Sequence, residues 1–291
     1  MGEVRNADCM LATALDLFDQ AGLEVGTHTF GIYTGVMGLA NSAWVKCYLG
    51  DPAEAMGRSG EAVRRARKAS HAQSLAYALC MTAAVHQSLG DAVATQWLAE
   101  QAITVARENA YSYWFAWATI LQGWAIAEQG CAASGMETLR GGLAAYRSTG
   151  AELFRPYSLG LLANICGQAG LIEEALASID EALDSSHEND VPFYDAELYR
   201  LRGDLLARIS APEMMVERSL ARSVEIARCR GCLLLELRAQ ISLWRLHSDT
   251  ARGINVRHRL AEILGCFAGD FEFPDLRQGR AIVRGGSCTA A

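Results

Sequence analysis

Four short segments decide the fold: Tyr48-Leu49-Gly50-Asp51, Ser88-Leu89-Gly90-Asp91, Glu128-Gln129-Gly130-Cys131 and Gln168-Ala169-Gly170-Leu171. Their glycines stand 40 residues apart, and a further step of 40 lands on Ser210. Three other columns keep this phase. Seven residues before each anchor stand Ala43, Ala83, Gly123, Ala163 and Gly203, all small. Five after the glycines stand Ala55, Thr95, Gly135 and Ala175, and twelve after stand Ala62, Ala102, Gly142 and Ala182. A repeat at this period marks a solenoid of supersecondary units. Glycine at the anchor suits a helix end that needs positive φ. Asp51 and Asp91 read as N-caps of the helix that follows, with Pro52 in its first turn. Positions +5 and +12 are seven apart and share one helix face. Each unit is therefore a helix–turn–helix that buries its apolar face only by stacking on its neighbours.

The spacing places helix pairs at about 30–69, 70–109, 110–150, 151–189 and 192–230. A degenerate sixth pair follows at 231–268, where Trp244 replaces the small residue at −7. A leading helix runs from Asp8 to Ala21, a terminal cap from Phe271 to Arg284, and residues 285–291 form a disordered tail. No strand pattern and no internal boundary emerges, so residues 1–284 read as one all-α domain, a right-handed α-solenoid with a period near 40.

Composition agrees. Hydrophobic residues make up 51% of the 291 and charged residues 20%, with five prolines, which excludes a disordered or Pro-rich chain. Net charge is −7, and all basic residues but Lys46 and Lys68 are arginine, so the chain as a whole carries no basic nucleic-acid footprint. The most apolar stretch, Tyr113 to Ala127, is too short to span a bilayer, and no apolar h-region follows Met1, so no signal peptide is expected. A cytoplasmic protein that contacts neither membrane nor nucleic acid is expected. Nine scattered cysteines do not suggest a disulfide framework.

The small-residue columns resemble the tetratricopeptide spacing, lengthened from 34 residues. Individual segments carry the resemblance further. They include Tyr113-Trp114-Phe115-Ala116-Trp117, Gly123 to Gly130, Gly142 to Arg147, Gly150 to Tyr157, Phe193 to Gly203 and Phe271 to Leu276. These look like the C-terminal tetratricopeptide region of large bacterial signalling proteins. There an adenylate or guanylate cyclase, or a DNA-binding output domain, precedes an AAA/STAND-type ATPase and then the repeats. The resemblance covers about 25–284. No Gly-x-x-x-x-Gly-Lys-Ser/Thr phosphate loop occurs, so the nucleotide-binding and cyclase activities do not carry over.

The resemblance implies that the first helix of each pair lines a concave groove. Its equivalent positions hold Tyr77, Trp117, Trp124 and Tyr157 in the first half, and Asn164, Glu197, Arg200 and Asp204 in the second. Aromatic anchors beside polar groups suit recognition of a peptide or small molecule. The competing reading of the aromatics is ordinary packing at helical period.

Other candidates are weaker. Cys229-Arg230-Gly231-Cys232 lacks a second ligand pair for zinc and a βαβ context for redox work. The six histidines form no HxxxH pattern. Glu173-Glu174 reads as dipole-favoured carboxylates of a first helical turn, and Arg64-Arg65-Arg67-Lys68 as a solvated helix end. No catalytic residue, metal or cofactor is expected.

The leading expectation is a non-enzymatic scaffold that binds a partner segment or inducer, its partner a protein or peptide such as a cyclase or STAND-type ATPase domain. Two alternatives stand beside it. One is a truncated remnant of such a regulator. The other is an enzyme on an α-solenoid, which needs convergent polar residues in one pocket.

Overall fold

The computed structural model describes residues 3–20, 28–29 and 31–285. Its architecture is a tetratricopeptide-like all-α array. A leading helix α1 (Val4–Gln20) precedes six antiparallel pairs. These are α2 (Thr34–Leu49) with α3 (Pro52–Lys68), α4 (Ala72–Ser88) with α5 (Ala92–Glu108), and α6 (Ser112–Glu128) with α7 (Ala132–Ser148). Then come α8 (Arg155–Gln168) with α9 (Ile172–Glu188), α10 (Asp195–Arg208) with α11 (Glu213–Arg230), and α12 (Leu233–His247) with α13 (Ala251–Leu264). The cap is α14 (Pro274–Val283). A 3-10 turn at Pro192–Tyr194 leads into α10. Among the described residues the exception to helix is a small antiparallel ribbon pairing His28 with Tyr33 and Thr29 with Ile32. Ala21 and residues 286–291, which the expected leading helix and tail include, lie outside the described residues.

The anchor column does what its glycines suggested. Gly50, Gly90, Gly130 and Gly170 have φ between 74° and 95°, and Ser210 takes the same left-handed conformation at 52°. The Asp51 side chain accepts from the Glu54 amide and Asp91 from the Ala94 amide, capping the helices that follow. A second set of left-handed turns lies midway between the anchors, at Ser70, Ala110, Gly150, Asp190 and Gly231. The chain therefore reverses about every 20 residues, typically after a helix of 17. At ~1.5 Å per residue such a helix is ~25 Å long.

The small columns form the seam within each pair. Ala43, Ala55, Ala62, Ala83, Thr95, Ala102, Ala163, Ala175 and Ala182 are all buried. The α6–α7 seam has glycine in all three columns and is tightest. A Cβ on Gly123 would lie 2.5 Å from the Leu139 amide nitrogen, and one on Gly135 would lie 2.5 Å from that of Ala127.

The array curls until its last repeat meets its first. α12 packs on α2, and the backbone amide of Ala268 donates to the Gly50 carbonyl at 2.9 Å. One apolar core runs through the first five repeats. A second joins Ala43, Cys47, Tyr48 and Leu89 of the first two repeats to Leu234, Leu235, Ile263, Phe273 and Leu276. Closure turns the concave face inward, and this decides what its residues can do.

Candidate functional site

In the first half of the array the inward-facing rings pack on one another, and Trp44, Tyr48, Phe154 and Phe193 also line an apolar pocket of about 490 Å³ against α1. Trp117 stacks on Phe154 with ring centroids 4.1 Å apart and planes 5° apart. Trp44 of α2 meets Trp117, Phe154, Tyr157 and Phe193 at 5.5–6.4 Å. Tyr77 packs edge-on to Trp114 and donates its hydroxyl to Asn41. Tyr157 donates to the Gln87 amide oxygen at 2.7 Å. Tyr157 and Trp117 have no exposed surface, and Tyr77 is buried. These three are core residues rather than groove anchors. The reason is packing between repeats: Phe154 covers Trp117, Trp44 and Tyr194 meet Tyr157, and Trp114 meets Tyr77.

In the second half the inward face stays open. Two adjoining lobes of about 700 and 210 Å³ share Asn164, Gln168, Arg200, Leu201, Ser242, Arg245 and Asp275 as common walls. The larger adds Asp204 and Arg208, and the smaller adds Trp124, Glu128, Glu197 and Arg238. Of the residues singled out in sequence, Trp124, Asn164, Glu197, Arg200 and Asp204 are thus brought to one cavity. Trp124 reaches it with only the edge of a buried ring.

An ion network braces the cavity wall. Arg200 binds both oxygens of Glu197 at 2.6 and 3.0 Å, and Asp204 at 2.6 Å. The hydroxyl of Ser242 donates to Asp204 at 3.0 Å. Arg238 binds Asp275 at 2.8 Å and the Ser88 carbonyl at 2.6 Å, and lies 3.7 Å from Glu197. Burial alone raises the pKa of Glu197, but Arg200 and Arg238 outweigh it and hold the carboxyl below its ordinary value. Glu197 is therefore an anion at neutral pH, and its charge is answered by Arg200 of α10 and Arg238 of α12.

Polar groups on the wall remain uncommitted. Asn164 and Arg245 have no hydrogen-bond or ion-pair partner among the described residues. Arg208 is held by a neutral group, the Gly167 carbonyl. Arg238, Ser242, Arg245 and Asp275 were not foreseen. The available signal was Arg238 and Arg245 seven residues apart, hence on one face of α12. The degenerate sixth repeat obscured the phase that would have pointed them inward.

The remaining sequence candidates have structural settings. Cys229 is exposed while Cys232 is buried, and both are free thiols. Among the described residues no three His, Cys, Asp or Glu side chains gather as a metal site. Arg64 and Arg65 pair with Glu61, and Glu174 pairs with Arg140 of the preceding repeat. His86 meets Asp91 at 3.1 Å. Among the described residues no helix is long and apolar enough to cross a membrane.

Comparisons with known proteins agree on architecture. The fold is similar to that of the apo form of RapI, with a TM-score of 0.60, 11% identity, and 94% of this chain and 92% of that one covered. A Rap protein complexed with competence and sporulation factor gives 0.53 at 16% identity, covering 87% and 72%. A signal-transduction STAND ATPase with a tetratricopeptide repeat sensor, from Pyrococcus horikoshii, gives 0.56 at 9% identity, covering 86% and 39%. In sequence, the family described as anaphase-promoting complex subunit 5 matches residues 13–88 and 68–122. An uncharacterized protein of Rhizobium meliloti strain 1021 is 35% identical over 127 residues. That match takes in 44% of this chain and only 12% of the relative's length.

Proposed function

We propose that the chain is a non-enzymatic recognition scaffold of a signalling system, taking a short peptide or small inducer into the cavity between α8, α10 and α12. The observation that carries this reading is that Asn164 and Arg245 have no partner among the described residues, on the wall of a cavity where Arg200 and Arg238 are paired with carboxylates. Ligand sites are concave, about 300–1,000 Å³, with a few polar groups that fix orientation. The larger lobe falls within that range. Closure of the array excludes a long segment along the axis, so the ligand is compact. The Rap protein complexed with a signalling factor is a neighbour in fold and supports recognition as the role. In this reading the output partner is a cyclase or STAND-type ATPase domain, as in the multidomain regulators that the repeats resemble, and the scaffold works in the cytoplasm.

The test retains ligands on the purified full chain from a peptide and small-molecule extract, identified by mass spectrometry, beside a variant carrying Asn164→Ala and Arg245→Ala. A species held by the parent and lost from the variant supports the reading. Equal retention by both proteins, or none by either, overturns it.

A further inference from the structure

Asp275 differs from the other carboxylates of the cavity wall. Glu128, Glu197 and Asp204 belong to helices of the array, whereas Asp275 comes from the first turn of α14. That helix has ten residues and buries Leu276, Gly279 and Ile282 against the array. Asp275 supplies the close carboxylate contact of Arg238, since Glu197 stands farther off at 3.7 Å and is already gripped by Arg200. Two turns along the same face of α12, Arg245 has no partner among the described residues. In a chain of net charge −7, this edge of the cavity thus presents two guanidinium groups. One is neutralised mainly from outside the array and the other is not neutralised.

Resting on the cavity reading above, we propose that Arg238 and Arg245 form an anion-binding site that the chain fills with its own tethered carboxylate, Asp275. A ligand with two acidic groups takes the site by displacing the first turn of α14. Seven helical residues separate the two arginines by a rise of ~10 Å. An extended chain covers that in about three residues. The ligand is therefore a compact dianion, carrying either two carboxylates or phosphates. Guanidinium groups recognise both through paired, charge-assisted hydrogen bonds. Asp275 then acts as a competitor at high effective concentration, and occupancy of the cavity is read out as release of α14.

The test uses the full chain and the variant Asp275→Asn, which nearly preserves side-chain volume and removes the charge. Two probes separate the sources: the end-blocked tetrapeptides Asp-Ala-Ala-Asp and phosphoserine-Ala-Ala-phosphoserine, both titrated at low salt. The proposal expects at least one probe to bind Asp275→Asn tenfold or more tightly than the parent, and adding Arg245→Gln to abolish that gain. Hydrogen exchange provides a readout that needs no ligand. Amides of residues 277–284 should exchange at least tenfold faster in Asp275→Asn, with α10 and α12 unchanged. Equal exchange of α14 in the two proteins shows that Asp275 does not tether it and overturns the proposal, whatever the cavity binds. Equal affinity of parent and variant for both probes, or no binding to either, also overturns it. The ligand-retention experiment is scored separately, so the scaffold reading can stand if the tether fails.

Discussion

The guanidinium of Arg238 in the sixth repeat donates to the carbonyl of Ser88, 150 residues earlier, at 2.6 Å. The acceptor lies at the C-terminal end of α4, where helix carbonyls lack intrahelical partners. The same arginine holds Asp275 of the cap. One side chain therefore ties the second repeat, the sixth repeat and α14 together at the place where the array closes.

Two glycines measure that closure. Gly50 and Gly130 have similar φ, 86° and 95°, so alanine at either incurs the left-handed penalty of about 1–2 kcal/mol. A Cβ on Gly130 meets open space, while one on Gly50 would lie 2.5 Å from a methyl carbon of Leu233. We expect Gly50→Ala to be the more destabilising by at least about 1 kcal/mol, the scale of core overpacking. Equal denaturant midpoints for the two variants would show that the ends of the array do not press on each other.

The turns between repeats offer the opposite change. Ala110 is exposed with φ at 56°, a conformation that costs a Cβ-bearing residue about 1–2 kcal/mol. Glycine relieves this but adds about 0.4–1 kcal/mol of unfolded-state entropy. Ala110→Gly should therefore raise stability by about 0.5–1 kcal/mol. A lower thermal midpoint in the variant would contradict it.

The seam columns yield a contrast within the first helices. Ala83 and Ala163 are fully buried against their partner helices, whereas Ala72 is half-buried at the start of α4. Leucine at 83 or 163 should cost about 1–3 kcal/mol. Leucine at 72 should cost clearly less. Chemical denaturation of the three variants checks the ordering.

Much of this architecture was legible because its determinants are short-range. Glycine at a left-handed turn and alanine at a close seam are imposed by backbone geometry, so they recur wherever the geometry does. The turns at Ser70, Ala110 and Asp190 were not legible, since the structure forces those residues into the left-handed region without glycine to mark it. Closure was invisible for another reason. It is made by Phe154 and Phe193, and by Leu233, Phe267 and Phe273, whose partners lie far away in sequence and carry no periodic mark. Sequence spacing put Trp117 and Tyr157 at equivalent positions and Arg200 at another groove position, and the structure buries the first two while leaving Arg200 on the cavity wall. Spacing could not tell which half of the groove face packing between repeats would bury.

Thiol chemistry separates the cysteines by depth. Burial pushes the Cys47 and Cys232 thiols up to about 12 and raises Cys80 further. Cys9, Cys131, Cys229 and Cys266 are exposed. Because the thiolate is the reactive form, a native chain should be alkylated rapidly at the exposed group and only after unfolding at Cys47, Cys80 and Cys232. Peptide mapping after a brief iodoacetamide pulse reads this directly. Comparable labelling of Cys229 and Cys232 would place the buried thiol of that pair at the surface.

The ion network at the cavity gives stability a defined pH dependence. Glu197 has a folded-state pKa below the ordinary 4.5, because Arg200 and Arg238 overcome the opposing effect of burial. A depressed carboxyl favours the folded state fully above its unfolded pKa, and loses that contribution as pH falls through the folded value. Glu197→Gln removes the charge but leaves Arg200 paired with Asp204 and Arg238 with Asp275, so the cost should be that of lost charged hydrogen bonds, about 1.5–3 kcal/mol. We expect that difference to be constant from pH 7 down to about 5 and to shrink below the ordinary carboxylate value, where the parent protonates as well. Glu61 and Glu181 are also depressed by arginines, but they are present in both proteins and cancel in the comparison. Urea midpoints of parent and variant between pH 3 and pH 7 test it. A gap that widens toward acid would mean that Glu197 is held protonated in the folded chain and that the arginines are neutralised elsewhere.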